Sequence, residues 1–195
     1  MNNFSFNLQN DGLAFLTLTR QSVNALSQEF IASLSELFDE ISDNDKIRSL
    51  IISSSIKHFC AGADINMMRD AGANTPEENR ADSKRLDRLF NSLWAHPCFT
   101  VGAIQGVALG GGAGLVACLD HVIGTQNIKL ALSEGKLGIL PAVIGPYVYR
   151  RLGSACFRRL AMQASRVGAE EALRTGFIEQ VVADVDSLEP AVQSL

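Results

Sequence analysis

Short apolar runs broken by polar turn residues open this chain, and they then give way to apolar residues spaced three and four apart. Phe4 to Leu8, the break Gln9-Asn10-Asp11-Gly12 and Leu13 to Thr19 predict two strands joined by a turn, because Asp-Gly supplies the positive φ that a short connection requires. After Asn24-Ala25-Leu26, the residues Phe30, Ile31, Leu34, Leu37, Phe38 and Ile41 predict a helix with one buried stripe, capped by Ser27. Ile47 to Ser53 is a β-branched run suited to a strand buried on both faces, and it leads into the loop His58-Phe59-Cys60-Ala61-Gly62-Ala63-Asp64.

Thr75-Pro76-Glu77-Glu78 predicts a capping box with proline in the first helical turn; Leu86, Leu89, Phe90 and Leu93 continue that helix until Pro97 stops it. Thr100 to Ile104 is the next strand, Gly110 to Gly114 a glycine turn, and Leu115 to Leu119 a buried helical stretch. Short strands follow at Val122 to Gly124 and Leu130 to Leu132. Helices are expected at Tyr147 to Leu152, at Ala155 to Ala164 after a Ser154 cap, and at Ala169 to Thr175, with a last strand from Ile178 to Ala183. Strands interleaved with helices indicate an α/β fold.

At 195 residues the chain is long enough for one domain with a sizeable core. The balance of 17 basic against 21 acidic residues, with no run of like charge, excludes nucleic acid or an anionic membrane surface as an expected partner. Phe99 to Leu119 holds 21 residues without a charge, long enough to cross a bilayer, but six of them are glycine. A buried strand, a glycine turn and a buried helix explain that composition better than a membrane helix does. The N-terminus lacks the basic and apolar regions of a secretory signal, so a cytoplasmic location is expected. Cys60, Cys98, Cys118 and Cys156 form no CxxC pair and read as buried reduced thiols; no zinc spacing is present.

The run from Gly106 to Gly114 fits neither standard phosphate loop. Leu115 stands where a dinucleotide fingerprint begun at Gly110 needs its third glycine, and no Gly-Lys-Ser/Thr follows. A strand, a glycine turn and a helix start would leave bare N–H groups able to bind a phosphate or to polarise a carbonyl. Glycines that merely let helices pack closely would fit the same residues. The loop Cys60-Ala61-Gly62-Ala63-Asp64 follows its own strand in the same way, so two strand-end loops could converge.

Together these segments resemble the crotonase (enoyl-CoA hydratase/isomerase) superfamily. Phe59 to Ile65 looks like its first oxyanion-hole motif, and Gly106 to Gly112 with Leu115 to Asp120 looks like its second. Asn24-Ala25-Leu26 before them and Leu132 to Pro141 after them match in order. The resemblance implies a spiral of repeated ββα units over residues 1–183, with 184–195 beginning a C-terminal helical segment that stops short. It also implies an acyl-CoA thioester whose oxygen is held by the N–H groups of Ala63 and Gly111. Ala61, Ala63, Asp64, Ile65, Gly110 and Gly111 would line the bound substrate, with Arg20 a candidate for the CoA phosphates. Coenzyme A would enter only as part of the substrate, with no metal or redox cofactor. A homo-oligomer, trimeric or hexameric, is expected of the family.

Glu134 matches the family's second catalytic glutamate, in a pocket expected to be lined by Leu132, Leu137 and Ile139; taken alone it could instead be a surface carboxylate paired with Lys136. Gly114 departs from the pattern, because two-glutamate hydratases carry their first catalytic glutamate there. The stretch from Ser133 to Arg151 looks most like the methylglutaconyl-CoA hydratase-like branch of bacterial leucine and acyclic-terpene catabolism. Water addition to a 2-enoyl-CoA is therefore the expected reaction, with a single-glutamate isomerase or decarboxylase, or a CoA-ester-binding homologue without turnover, as alternatives. A serine protease of the related Clp-type spiral would need a nucleophile elbow, and no Gly-x-Ser-x-Gly is present.

Overall fold

The expected hairpin opens the chain, β1 (Phe4–Leu8) lying antiparallel to β2 (Leu13–Leu18) with Phe4 opposite Leu18. The computed structural model describes residues 3–64, 67, 69 and 72–195. Ser27 caps α1 (Gln28–Ser42) by accepting from the Phe30 N–H at 3.3 Å, and Phe30, Ile31, Leu34, Phe38 and Ile41 form its buried stripe. Next come β3 (Ser49–Ser54) and α2 (Pro76–Trp94). In the capping box of α2 the Thr75 N–H donates to Glu78 Oε2 and the Glu78 N–H to Thr75 Oγ1.

Then follow β4 (Phe99–Ile104), β5 (Val107–Leu109), α3 (Gly111–Ala117), β6 (His121–Thr125) and β7 (Lys129–Ala131). A 3₁₀ turn at Ser133–Leu137 leads to α4 (Gly145–Gln163), β8 (Val167–Gly168), α5 (Ala169–Arg174), β9 (Gln180–Val182) and α6 (Leu188–Gln193). Among the described residues the larger sheet has the order β1-β2-β3-β4-β6-β9, parallel except at β1, and the smaller one the order β5-β7-β8.

Alternation along β2 sends Ala14, Leu16 and Leu18 into the core, where Leu50 and Ile52 of β3 meet the apolar stripes of α1 and α2. Part of the opposite face is closed by α6, whose Leu188 and Ala191 pack on Ala103 and Ile123. Parallel pairing of β3 with β4 puts the loops after them at one edge of the sheet, and that edge carries the site.

Several expectations are corrected. The glycine turn at 110–114 is a helix from Gly111 onward, with only Gly110 outside it at φ +50°. The two helices expected at 147–152 and 155–164 are one, kinked at Gly153, where φ is +74°; Ser154 follows the kink and makes no capping bond. Of the four cysteines, all free thiols, Cys60 and Cys118 are buried, whereas Cys98 and Cys156 are only half-buried. The charge-free segment is divided among β4, β5 and α3, and no described helix is long and apolar enough to cross a membrane.

Candidate functional site

Two loops meet at the sheet edge because their backbones are hydrogen-bonded to each other. The Phe59 N–H donates to the Gln105 carbonyl at 3.0 Å, the Cys60 N–H to Val107 at 3.1 Å, and the Leu109 N–H returns to Cys60 at 3.0 Å. Gln105 adds its side chain, Nε2 donating to the carbonyls of Ser54 and Ile56 at 2.8 and 2.7 Å. Such close approach requires glycine. A β-carbon on Gly112 would stand 2.2 Å from the Cys60 carbonyl oxygen, and one on Gly62 would stand 2.5 Å from the Leu109 carbonyl oxygen and 3.4 Å from the Gly111 nitrogen.

The orientation of the Ala63 amide follows from its neighbours. The Leu26 N–H donates to the Gly62 carbonyl at 2.8 Å and the Asp64 N–H to the Leu26 carbonyl at 3.0 Å, so in this parallel bridge Ala63's own N–H points the other way. Gly111 is the first residue of α3, where N–H groups have no intrahelical acceptor. Among the described residues neither the Ala63 nor the Gly111 N–H has a hydrogen-bond partner, and both residues line one cavity of about 310 Å³. Two free amides side by side can donate to a single carbonyl oxygen and stabilise negative charge developing on it.

Opposite them stands Glu134, on the 3₁₀ turn. Its Oε1 lies 3.2 Å from where a β-carbon on Gly110 would be, and its buried Oε2 has no partner among the described residues. Burial pushes the Glu134 carboxyl above its ordinary value of 4.5, because removal from water penalises the charged form. No ion pair joins it to Lys136, which is exposed. Leu137 and Ile139 line the cavity as expected, whereas Leu132 is buried in the core instead. Leu140, Val143 and Ile144 extend the apolar wall.

Ala61 and Ala63 also border a second groove of about 480 Å³, shared with Arg20, Val23, Ala25 and Asp64. Arg20 is committed within the chain: Nη1 donates to the Ala25 carbonyl at 2.7 Å and Nη2 to Asp64 Oδ2 at 3.1 Å. Ile65 lies outside the described residues. Among the described residues no group of three or more His, Cys, Asp or Glu could hold a metal.

Sequence reasoning missed the far wall of the cavity. Ser83 and Leu86 reach it from α2 and Phe90 packs beside Gly111; the spacing 83, 86, 90 marks one helical face and could have placed them. Ile144 carries no such signal, since its contact with α3 is purely tertiary.

A sequence profile of the family described as enoyl-CoA hydratase/isomerase matches residues 8–195. The chain is 31 % identical over 185 residues to 1,2-epoxyphenylacetyl-CoA isomerase of Escherichia coli (strain K12), covering 93 % of this chain and 71 % of that protein. With enoyl-CoA hydratase AKT6-1 of Alternaria alternata the identity is 29 % over 189 residues, 96 % of this chain and 61 % of the relative. The crystal structure of an enoyl-CoA hydratase from Shewanella pealeana ATCC 700345 superposes with a TM-score of 0.94 at 34 % identity, covering 99 % of this chain and 72 % of that one. The chain spans about two thirds of the length of the curated relatives it matches.

Proposed function

Because the chain belongs to the enoyl-CoA hydratase/isomerase family of the crotonase superfamily, we propose that it binds an acyl-CoA thioester at this edge and adds water to a 2-enoyl-CoA. The observation that carries the reading is the half-buried Glu134 carboxylate facing the cavity that Ala63 and Gly111 line with unpaired amides. The thioester oxygen would accept from both amides, with the acyl chain in the apolar cavity and the rest of the coenzyme leaving over Ala61 and Ala63 toward Arg20. Glu134 would take a proton from water as its oxygen bonds to the β-carbon. Charge then moves onto the thioester oxygen as an enolate, and the same carboxyl returns the proton to the α-carbon. No second ionisable side chain among the described residues lines the cavity, so one carboxylate serves both steps. Likeness of the stretch from Ser133 to Arg151 to the methylglutaconyl-CoA hydratase-like branch supports 3-methylglutaconyl-CoA or a related branched ester as substrate.

A second reading, double-bond isomerisation, is favoured by the packing around Gly114, which leaves no room for another carboxylate. Turnover of a panel of 2-enoyl and 3-enoyl esters in ¹⁸O-labelled water separates the two, since only hydration carries the label into product. Glu134→Gln should abolish either activity, and full activity in that variant sinks both readings. Exposed Leu140, Tyr149 and Met162 support a homo-oligomer, which sedimentation of the protein would test.

A further inference from the structure

We infer that Asn24 is the positioning residue that aims the Ala63 amide into the cavity, an inference that rests on reading Ala63 as a donor to the thioester oxygen. Asn24 is fully buried and holds a left-handed φ of +50°, a conformation asparagine tolerates better than most residues. Its Nδ2 donates to Ser54 Oγ at 2.8 Å, to the Phe59 carbonyl at 2.9 Å and to the His58 carbonyl at 3.2 Å. Its own carbonyl accepts from the Cys60 thiol at 3.1 Å. Side chain and main chain of one residue thus grip the three successive positions 58–60 at the start of the loop.

Around that grip the two segments run side by side. The Ala61 N–H donates to Val23 at 3.0 Å, and Leu26 takes the Gly62 carbonyl and the Asp64 N–H. Backbone groups on both sides of Ala63, at 61, 62 and 64, are therefore anchored to residues 23–26, and Asn24 fixes where those anchors stand. Ser54 completes the clamp, its hydroxyl donating to the His58 carbonyl at 2.9 Å. The Asn24 Oδ1 is buried without a partner among the described residues, so the geometry serves the amino group rather than satisfying the whole carboxamide.

Asn24→Gly keeps the left-handed backbone free of steric cost and removes the clamp. Hydrogen exchange of the ligand-free protein, read by mass spectrometry, should show the amides of 59–64 exchanging at least about 10-fold faster while those of α1 and β3 keep their rates. In turnover of the enoyl-CoA ester, kcat should fall about 10- to 100-fold, part of the roughly 10²- to 10³-fold that loss of a whole donor costs, with KM within about threefold. Ser54→Ala, a milder change, should move both readouts in the same direction by less. Unchanged exchange at 59–64, or acceleration spread equally through α1 and β3, overturns the inference. If the unaltered protein turns over no ester at all, the proposed activity falls, and the exchange data alone decide the role of Asn24.

Discussion

Ile144 occupies the space beside Gly114: a β-carbon at 114 would lie 2.5 Å from Ile144 Cγ2 and 3.0 Å from Phe90 Cζ. Every residue of α3 around it is buried. The carboxylate that two-glutamate hydratases carry at this position is therefore replaced by a closed apolar wall between α2, α3 and the start of α4, and a glutamate restored there would have to displace that wall.

Gly114→Ala tests the wall directly. Alanine gains about 0.5–1 kcal/mol of helix preference over glycine, but overpacking a closed core costs about 1–3 kcal/mol. A net loss of stability is expected in urea denaturation. Ile144→Ala in the same chain should relieve it, giving a coupling of at least about 0.5 kcal/mol in a double-mutant cycle. Strictly additive losses would show that the two side chains do not compete for the same space.

The pH dependence of stability should carry the signature of Glu134. Burial raises its folded-state pKa above the ordinary 4.5, so the stability tied to its neutral form is fully present below that value and is lost as pH rises through the raised one. Glu134→Gln cannot lose it. The variant should match the unaltered protein near pH 4 and melt at higher temperature than it near pH 8. Equal melting temperatures at both pH values would mean that the carboxylate is as well solvated folded as unfolded. For activity, a base with a raised pKa predicts that the rate falls on the acid side at a pH above 4.5.

Elements whose signals are local were legible in the sequence. The Ser27 cap, the apolar stripe of α1 and the Thr75 capping box each lie within a few residues of what they determine, and each formed as expected. The start of α3 was not legible in the same way. Glycines at 111, 112 and 114 weaken a helix by propensity, yet they are helical here, and backbone from Cys60 with side chains of Leu26, Phe90 and Ile144 approaches so closely that a β-carbon would not fit. Tertiary contact overrides local preference. At the site, Ala63, Gly111 and Glu134 stood in recognisable loops and meet at one cavity. The Asn24 clamp and the Ile144 wall depend on pairs 35 and 30 residues apart, such as Asn24 with Phe59 and Gly114 with Ile144, which no local pattern encodes.

Thiol chemistry should sort the cysteines by burial. Cys60 is wholly enclosed with its thiol donating to the Asn24 carbonyl, and desolvation pushes its pKa up to about 12. Cys118 is raised for the same reason, and half-buried Cys98, whose Sγ lies 3.1 Å from His96 Nδ1, is raised to about 11, again chiefly by desolvation. Since enclosure keeps the reagent out and the thiolate is the reactive form, a maleimide at pH 8 should label native protein at the half-buried thiols and reach Cys60 and Cys118 only after denaturation. Peptide mapping reads this out, and rapid native labelling of Cys60 would contradict the packing at the loop.

Arg151 should be the costliest single polar residue to lose outside the site. Its side chain is only 9 % exposed, and every nitrogen has a partner: Nε donates to the Phe177 carbonyl at 3.0 Å, Nη1 to Leu119 at 2.5 Å and Nη2 to both oxygens of Glu179. Glu179 in turn accepts from the Val122 N–H at 2.7 Å, so one guanidinium ties α4 to the end of α3, to β6 and to the segment entering β9. Arg151→Met keeps much of the apolar stem and removes the donors, leaving two carbonyls and a carboxylate short of partners. Breaking a buried pair costs about 3–5 kcal/mol; Glu179 is a third exposed, and water can reach it, so about 2–3 kcal/mol is the better expectation. For a domain of this size each kcal/mol moves the melting temperature by about 2–4 °C, so a drop of about 4–12 °C should appear by calorimetry. Arg151→Lys should recover little, because one ammonium cannot reach three carbonyl and carboxylate groups held in the geometry of a planar fork. A loss below about 1 kcal/mol in both variants would show that the clamp is dispensable and that α4 is held by its apolar face alone.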